Sequence, residues 1–293
     1  MFSNRGQSVN IEKKRLSAGL YFVATPLGSA RDITLRALDI LASADVLAAE
    51  DTRTMRHLMQ IHGVALGDRA LIAYHDHSDA AVRARLMRLL SEGKSVAYAS
   101  EAGTPLVADP GFELAREALA EGIAVTSAPG PSAVIAALSI AGLPTDRFMF
   151  AGFAPAAKGA RQTWLQEVSA LSATLVLYES PKRIQRLLAE MAALFGAERQ
   201  AAVCREMTKR FEEVLRGSLG ELADRLAEKP VKGEIVLVVD RDRRAASTAS
   251  MEDLLQVALA EMSIKDAAVS VATALGLPRR QVYQAALDLA KAR

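Results

Sequence analysis

Cysteine is nearly missing from this chain of 293 residues, where Cys204 stands alone. A single thiol excludes an internal disulfide and any site built on several cysteines. Set in the apolar "QAAVCRE", it reads as a buried, inert thiol. Histidine is scarce too: His57, His62, His75 and His77 are the only four. The pair in "AYHDHSD" would face one side of a strand, but no third ligand accompanies it, so no metal site is expected. No apolar run reaches the roughly 18 residues of a membrane helix. The start "MFSNRGQSVNIEKKR" carries charge with no apolar segment behind it, so no secretory signal is expected and a cytoplasmic location follows. Neither charge dominates: the net value is +2, and any nucleic-acid binding must come from local patches. Neither G-x-G-x-x-G nor the Walker A pattern occurs, which leaves a dinucleotide fold and a P-loop unsupported. No internal repeat or low-complexity tract stands out.

Apolar residues are plentiful, at 51% of a chain long enough for about two domains. Short apolar runs alternate with amphipathic helices: "LYFVAT" then "DITLRALDILASA", "DVLAAE" then "RTMRHLMQIHG", "SVAYAS" then "GFELAREALAEG", "IAVTSA" then "PSAVIAALSIAG". This rhythm predicts α/β units on a largely parallel sheet. Asp32 is placed to cap the helix carrying Leu35, Leu38 and Leu41, while Gly63 and Gly122 close later helices. Beyond "GLPTDRF" the rhythm changes. "RFMFAGF", "ATLVLYES", "QAAVCREM", "FEEVLRGSL" and "GEIVLVVD" read as strands, two of them too close for a helical crossover, so a mixed sheet is expected. The polar "DRDRRAASTAS" reads as a linker. After it, "SIKDAAVSVATALGLPRRQVYQAALDLAK" has the pattern of a helix-turn-helix, or of a helical hairpin packed on the core. The expected domains are residues 19–143, parallel α/β; 144–240, mixed α/β; and 250–293, the helical extension.

Three loops share one design: "ATPLGSARD", "SEAGTPLVADPG" and "APGPSAVIA". Each follows an apolar run and opens toward a helix, so all three would gather at the carboxyl ends of strands, where open α/β sheets bind ligands. Glycine admits a ligand to the backbone, proline stiffens the loop, and a helix start supplies free N–H groups.

These loops, with "LVLYESPKR", "REMTKRFEE" and "KGEIVLVV" in order over residues 19 to 240, resemble the tetrapyrrole-methylase superfamily of S-adenosylmethionine-dependent methyltransferases. Within it the chain is similar to the ribosomal RNA small subunit methyltransferase I group, some members of which carry a helix-turn-helix extension. Two positions depart from that group: Glu101 replaces an aspartate, and Gly28-Ser29-Ala30 replaces Gly-Asn-Leu. The resemblance implies a two-domain methylase fold with S-adenosylmethionine in a cleft between the domains. It implies methyl transfer to the ribose 2′-oxygen of a cytidine in the ribosomal decoding centre, with a homodimer as the expected state. Cofactor contacts are then expected at Pro26, Glu101, Gly103, Thr104, Val107, Pro129, Ser132, Ala133, Tyr178 and Gly233.

A ribose hydroxyl is a poor nucleophile, so a positioned base is expected. Three acid clusters offer one: "AEDTR" with Glu50, Asp51 and Arg53, "YESPKR" with Glu179 and Lys182, and "REMTKR" with Glu206 and Lys209. Asp51, Glu206 and Lys209 are the candidates for base and orientation, although Asp51 equally suits a helix cap. Arg31, Arg53, Lys182, Arg183, Arg279 and Arg280 are the candidate contacts to RNA phosphates. Two rival readings remain. A tetrapyrrole methyltransferase would share the architecture, but it usually shows a "GPGDP"-like loop where this chain has "TPLGSARD". A non-enzymatic nucleic-acid-binding protein would account for "GLPRRQVYQ" and leave the glycine-proline loops without a purpose.

Overall fold

The computed structural model describes residues 11–75, 80–241 and 251–291. It divides into two compact units, Met1–Ile140 together with Cys204–Val214, and Ala141–Val203 together with Leu215–Arg293.

In the first unit the strands β1 (Gly19–Val23), β2 (Val46–Ala49), β3 (Leu71–Ala73), β4 (Ser95–Ala99) and β5 (Val125–Ala128) form one sheet in the order β3-β2-β4-β1-β5. Its pairings are parallel. The central strands are apolar along their whole length because both faces are covered. Helices α1 (Leu35–Ser43) and α2 (Thr52–Ile61) place Leu38, Leu41, Met55 and Met59 against Val23, Leu47 and Ala97 on one face. Helices α3 (Ala80–Ser91) and α4 (Phe112–Ala120) place Leu86, Leu90 and Leu114 against Leu20, Phe22, Val96 and Tyr98 on the other. Helix α5 (Ala133–Ala141) follows β5.

Gly63 and Gly122 follow α2 and α4 with φ of +71° and +73°, ending those helices where their positions predict. The expectation for Asp32 needs correction. Asp32 lies in a 3₁₀ turn, Ala30–Asp32, and the residue flanking α1 is Thr34, whose hydroxyl accepts from Ala37 N at 3.2 Å. The helix starts later than the acidic residue suggested, and a threonine hydroxyl serves the free N–H equally well. His75 lies beyond the end of β3 and His77 falls outside the described residues. Among the described residues no group of three or more His, Cys, Asp or Glu is placed to hold a metal, and no helix is long and apolar enough to cross a membrane.

The second sheet comprises β6 (Phe148–Phe153), β7 (Thr174–Glu179), β8 (Gln200–Arg205), β9 (Glu213–Ser218) and β10 (Ile235–Val239), in the order β6-β7-β10-β8-β9. These are the five runs read as strands. The sheet is mixed, with β6 parallel and β10 antiparallel to β7. Helices α6 (Lys158–Ser169), α7 (Ile184–Phe195) and α8 (Leu219–Glu228) bury Leu165, Leu187, Met191 and Leu222 against Leu175, Leu177, Val203 and Leu237. Helix α8 starts at a capping box in which Ser218 and Glu221 bond each other's backbone N–H. Cys204 is fully buried, as its apolar setting predicts.

The carboxyl-terminal segment folds as α9 (Met251–Glu261), α10 (Ile264–Leu275) and α11 (Arg279–Lys291). Leu255, Val271, Ala272, Val282 and Ala286 form a core of their own. The break at "GLPRR" is as expected, with Gly276 in the left-handed conformation at the end of α10 and Pro278 just before α11. Residues 242–250, most of the expected linker, lie outside the described residues.

Candidate active site

Strand β1 leads into α1 on one face of its sheet, and its neighbour β4 leads into α4 on the other. The connections therefore part toward opposite sides at the carboxyl ends of two adjacent strands, which is where open α/β sheets admit ligands. Strand β5 flanks β1 on its other edge. The three glycine-proline loops leave these three strands, β1, β4 and β5, so topology collects them at one end of the sheet.

Side-chain hydroxyls and backbone then tie the loops together. Thr25 and Gly103 exchange backbone hydrogen bonds of 2.9 and 3.0 Å, forming an isolated bridge between the first loop and the second. The buried Thr25 hydroxyl donates to Ser100 O at 3.2 Å, and Ser100 Oγ donates to Gly103 O at 3.0 Å. Thr104 Oγ1 donates to Pro131 O at 2.8 Å, joining the second loop to the third. The Glu50 carboxylate, at the end of β2, accepts from Glu101 N at 3.1 Å. Pro26, Glu101, Gly103, Thr104, Val107, Pro129, Ser132 and Ala133 thus stand on one hydrogen-bonded set of loops.

The second loop is conformationally unusual. Leu106 and Ala108 have φ of +70° and +60°, a region that side chains rarely adopt. Gly111 has φ of +121° and lies on the rings of Phe22 and Tyr98, where an added Cβ would come within 3.2 and 3.3 Å of them. Those rings meet edge to face with centroids 5.7 Å apart, a stiff floor under the loop. Backbone held in costly conformations by its surroundings is characteristic of binding sites.

The only other non-glycine residues with positive φ among those described are Glu206 and Thr208, at +50° and +63°, in the connection between β8 and β9. This turn belongs to the first unit. Thr208 Oγ1 accepts from Ser29 N at 3.1 Å, and an added Cβ on Gly28 would lie 2.9 Å from Thr208 Oγ1, so the turn sits directly on the first glycine-proline loop. Thr208 N donates to the Glu212 carboxylate at 2.5 Å, and Lys209 Nζ pairs with Glu206 Oε1 at 3.3 Å. Glu206 and Lys209 are therefore brought to the loops expected to hold the cofactor.

Asp51 is the N-cap of α2: Oδ1 accepts from Arg53 N at 2.7 Å and Thr54 N at 3.2 Å, while Oδ2 pairs with Arg53 at 3.1 Å. The Arg53 guanidinium and the two amides hold its carboxyl below the usual range. Both oxygens are committed, which makes Asp51 a poor proton acceptor. Arg31 and Arg53 are exposed.

The remaining candidates belong to the second unit. Tyr178, on β7, meets the rings of Phe150 and Phe153 at 4.8 and 5.6 Å, and Gly233 precedes β10 with φ of +90°. Arg183 pairs at 3.2 Å with Glu179, a residue only 1% exposed through its side chain, and also donates to Ala154 O. Its neighbour Lys182 is exposed. Arg279 and Arg280 are exposed at the start of α11.

Sequence reasoning missed the residues that hold the site rather than line it. Thr25, Ser100 and Thr208 are hydroxyl residues whose partners lie far along the chain. Only Thr25, beside Pro26, carried a local signal; Ser100 and Thr208 have no glycine or proline next to them. It also missed Arg161, which is buried and grips Glu190 through two bonds of 2.6 and 2.8 Å.

The arrangement suits a small ligand with cationic and anionic ends. Carboxylates of Glu50, Asp51 and Glu101 gather at the ends of β2 and β4, while the small residues Ser132 and Ala133 open α5. Glycine backbone lines the approach. S-adenosylmethionine, with a sulfonium and an amino acid moiety, matches this donor set.

Comparison with known proteins agrees. Residues 19–223 match the family of tetrapyrrole (corrin/porphyrin) methylases, and residues 245–290 match the RsmI C-terminal HTH domain. Ribosomal RNA small subunit methyltransferase I of Mesorhizobium japonicum is 44% identical over 95% of each chain. The protein of the same name from Halalkalibacterium halodurans is 40% identical over 90% of this chain and 93% of its own. Among solved structures, uroporphyrin-III C-methyl transferase from Thermus thermophilus, complexed with S-adenosyl homocysteine, has the same fold, with a TM-score of 0.53 at 19% identity over 76% of this chain and 97% of that one. With its loops, its sheet order and its extension all accounted for, the chain belongs to the ribosomal RNA small subunit methyltransferase I group of the tetrapyrrole methylases, a family of S-adenosylmethionine-dependent methyltransferases.

Proposed function

We propose that this protein transfers a methyl group from S-adenosylmethionine to the ribose 2′-oxygen of a cytidine in the decoding centre of the small ribosomal subunit RNA. The observation that carries the reading is the 44% identity across 95% of both chains with a ribosomal RNA small subunit methyltransferase I. The 2′-oxygen of a cytidine as the acceptor is what the resemblance to this group implies.

The cofactor supplies an activated methyl group. The chain must bind and orient both reactants and remove the hydroxyl proton. Binding is assigned to the loops at Gly103–Val107 and Ser132–Ala133, with Pro26, Glu101 and Pro129 at their edges; the family resemblance adds Tyr178 and Gly233. Glu206 is assigned as the proton acceptor and Lys209, its partner at 3.3 Å, as the group that orients it. Asp51 is assigned to hold α2, since its carboxylate is already occupied. Arg31, Arg53, Lys182, Arg183, Arg279 and Arg280 are assigned to the RNA side, with Arg183 acting through the shape of its loop because its guanidinium is engaged within the protein.

The test is transfer of labelled methyl from S-adenosylmethionine to purified small subunits, with the labelled nucleotide identified by mass spectrometry. A 2′-O-methylcytidine is expected. Label on a base, on another nucleotide or on no RNA overturns the reading. Glu206→Gln should lower kcat by about a hundred- to ten-thousandfold while cofactor affinity by calorimetry holds. An unchanged kcat removes Glu206 from the chemistry. Thr104→Arg should abolish cofactor binding and leave the circular dichroism spectrum intact.

A further inference from the structure

The turn that presses Thr208 onto the first glycine-proline loop also presents a pair of side chains that neither the cofactor nor the proton transfer uses. Phe211 is 62% exposed, among the most exposed large apolar residues of those described. The guanidinium of Arg210 lies over its ring, 5.5 Å from the centroid. Among the described residues Arg210 has no carboxylate partner, because Glu212, beside it in sequence, is turned onto Thr208 N. A second arginine-covered phenylalanine, Phe112 with Arg116, differs in this respect: Arg116 is also paired with Glu113, so its charge is answered within its own helix.

Nor is the exposure of Phe211 the product of a loose loop. Glu206 and Thr208 are held at positive φ, Lys209 N donates to Glu206 O at 3.0 Å, and Glu212 N donates to Lys209 O at 3.1 Å. The turn is a rigid mount. It holds a ring and an unanswered planar cation in the open, a few residues from the Glu206–Lys209 pair.

We infer that Arg210 and Phe211 form a stacking ledge for an unpaired base of the RNA substrate. This rests on the proposed rRNA reading and adds a contact to it. An aromatic face accepts any base, and an arginine beside it adds a cation to the stack and reaches a neighbouring phosphate. Such a ledge favours a nucleotide adjoining the target, since the pair stands on the same turn as the assigned acceptor. Single-stranded RNA, not duplex, is the chemistry that fits, because stacking requires an exposed base face.

Two measurements on the full-length protein test this. In steady-state methylation of purified small subunits, Phe211→Ala should raise KM roughly five- to a hundredfold with cofactor affinity unchanged. Phe211→Trp should retain the wild-type KM and Phe211→Leu should not. Arg210→Ala should raise KM and reduce the slope of log affinity against log salt by about one. In the second measurement, fluorescence anisotropy with an unstructured oligoribonucleotide, Phe211→Ala and Phe211→Leu should bind more weakly than wild type, whatever the acceptor of the methyl group proves to be. If the wild type binds the oligonucleotide but does not methylate subunits, the proposed function fails and the ledge stands. Overturning results for the ledge are a leucine variant equal to wild type, an oligonucleotide affinity indifferent to residue 211, or a Phe211→Ala protein that changes its oligomeric state in sedimentation, which would assign the ring to a protein interface.

Discussion

Arg161 is a charged residue with almost no exposure, and its burial is made tolerable by four hydrogen bonds: two to Glu190 and two to the carbonyls of Pro155 and Ala156. A paired buried charge adds little net stability, but removing one partner leaves the other stranded. Glu190→Gln should therefore destabilise the protein by about 3 kcal/mol at neutral pH, measured by urea denaturation. The pH dependence follows from the same contact. The Arg161 guanidinium holds the Glu190 carboxyl below its usual range. Its contribution is complete above the unfolded value of about 4.3 and disappears as pH falls through the lower, folded value. Wild type should lose stability across that acid window more steeply than Glu190→Gln, and parallel curves would dissociate Glu190 from the acid response.

Helix α2 poses a different question, because the residue that starts it was also a candidate for the chemistry. If Asp51 serves only as a cap, Asp51→Asn should keep both stability and kcat, while Asp51→Ala should lower the stability measured by urea denaturation. A large fall in kcat for Asp51→Asn would restore it as a base. Helix starts of this kind were partly legible. "AEDTR" announced a cap, whereas the Ser218–Glu221 box passed unread because "FEEVLRGSL" reads as a strand. The strands and the mixed sheet were legible from apolar rhythm, since continuous runs such as "SVAYA" mark parallel strands buried on both faces. Asp32 misled because a cap is chosen by backbone geometry, and Thr34, two residues on, has the extended conformation that a cap needs. The glycine-proline loops were legible as punctuation. The ties among them were not, because Thr25 and Ser100 are 75 residues apart and no local pattern records such a meeting. Arg161 was invisible for the same reason: in "KGARQTW" it looks like any solvated helical cation.

Across the whole molecule, the carboxyl-terminal helices close on themselves. Met251, Leu254, Leu255, Ala258 and Leu259 of α9 pack within that trio, whereas Val257 is 68% exposed. Removing residues 246 to 293 should leave a folded protein with unchanged cofactor affinity and a raised KM for small subunits. Aggregation, or loss of cofactor binding, would make the trio a structural support. The first unit, by contrast, is not continuous in the chain: Met1–Ile140 is completed by Cys204–Val214, and Ser29 meets Thr208 across 179 residues. That separation sets a schedule for the birth of the enzyme. On a translating ribosome the first glycine-proline loop emerges roughly 10 to 40 seconds before the turn that braces it, at synthesis rates of about 5–20 residues per second. Through that interval the loop stands without its brace, and the acceptor carboxylate of Glu206 does not yet exist. A nascent chain arrested before residue 204 should therefore be catalytically silent, because neither the brace nor the acceptor carboxylate has yet been made.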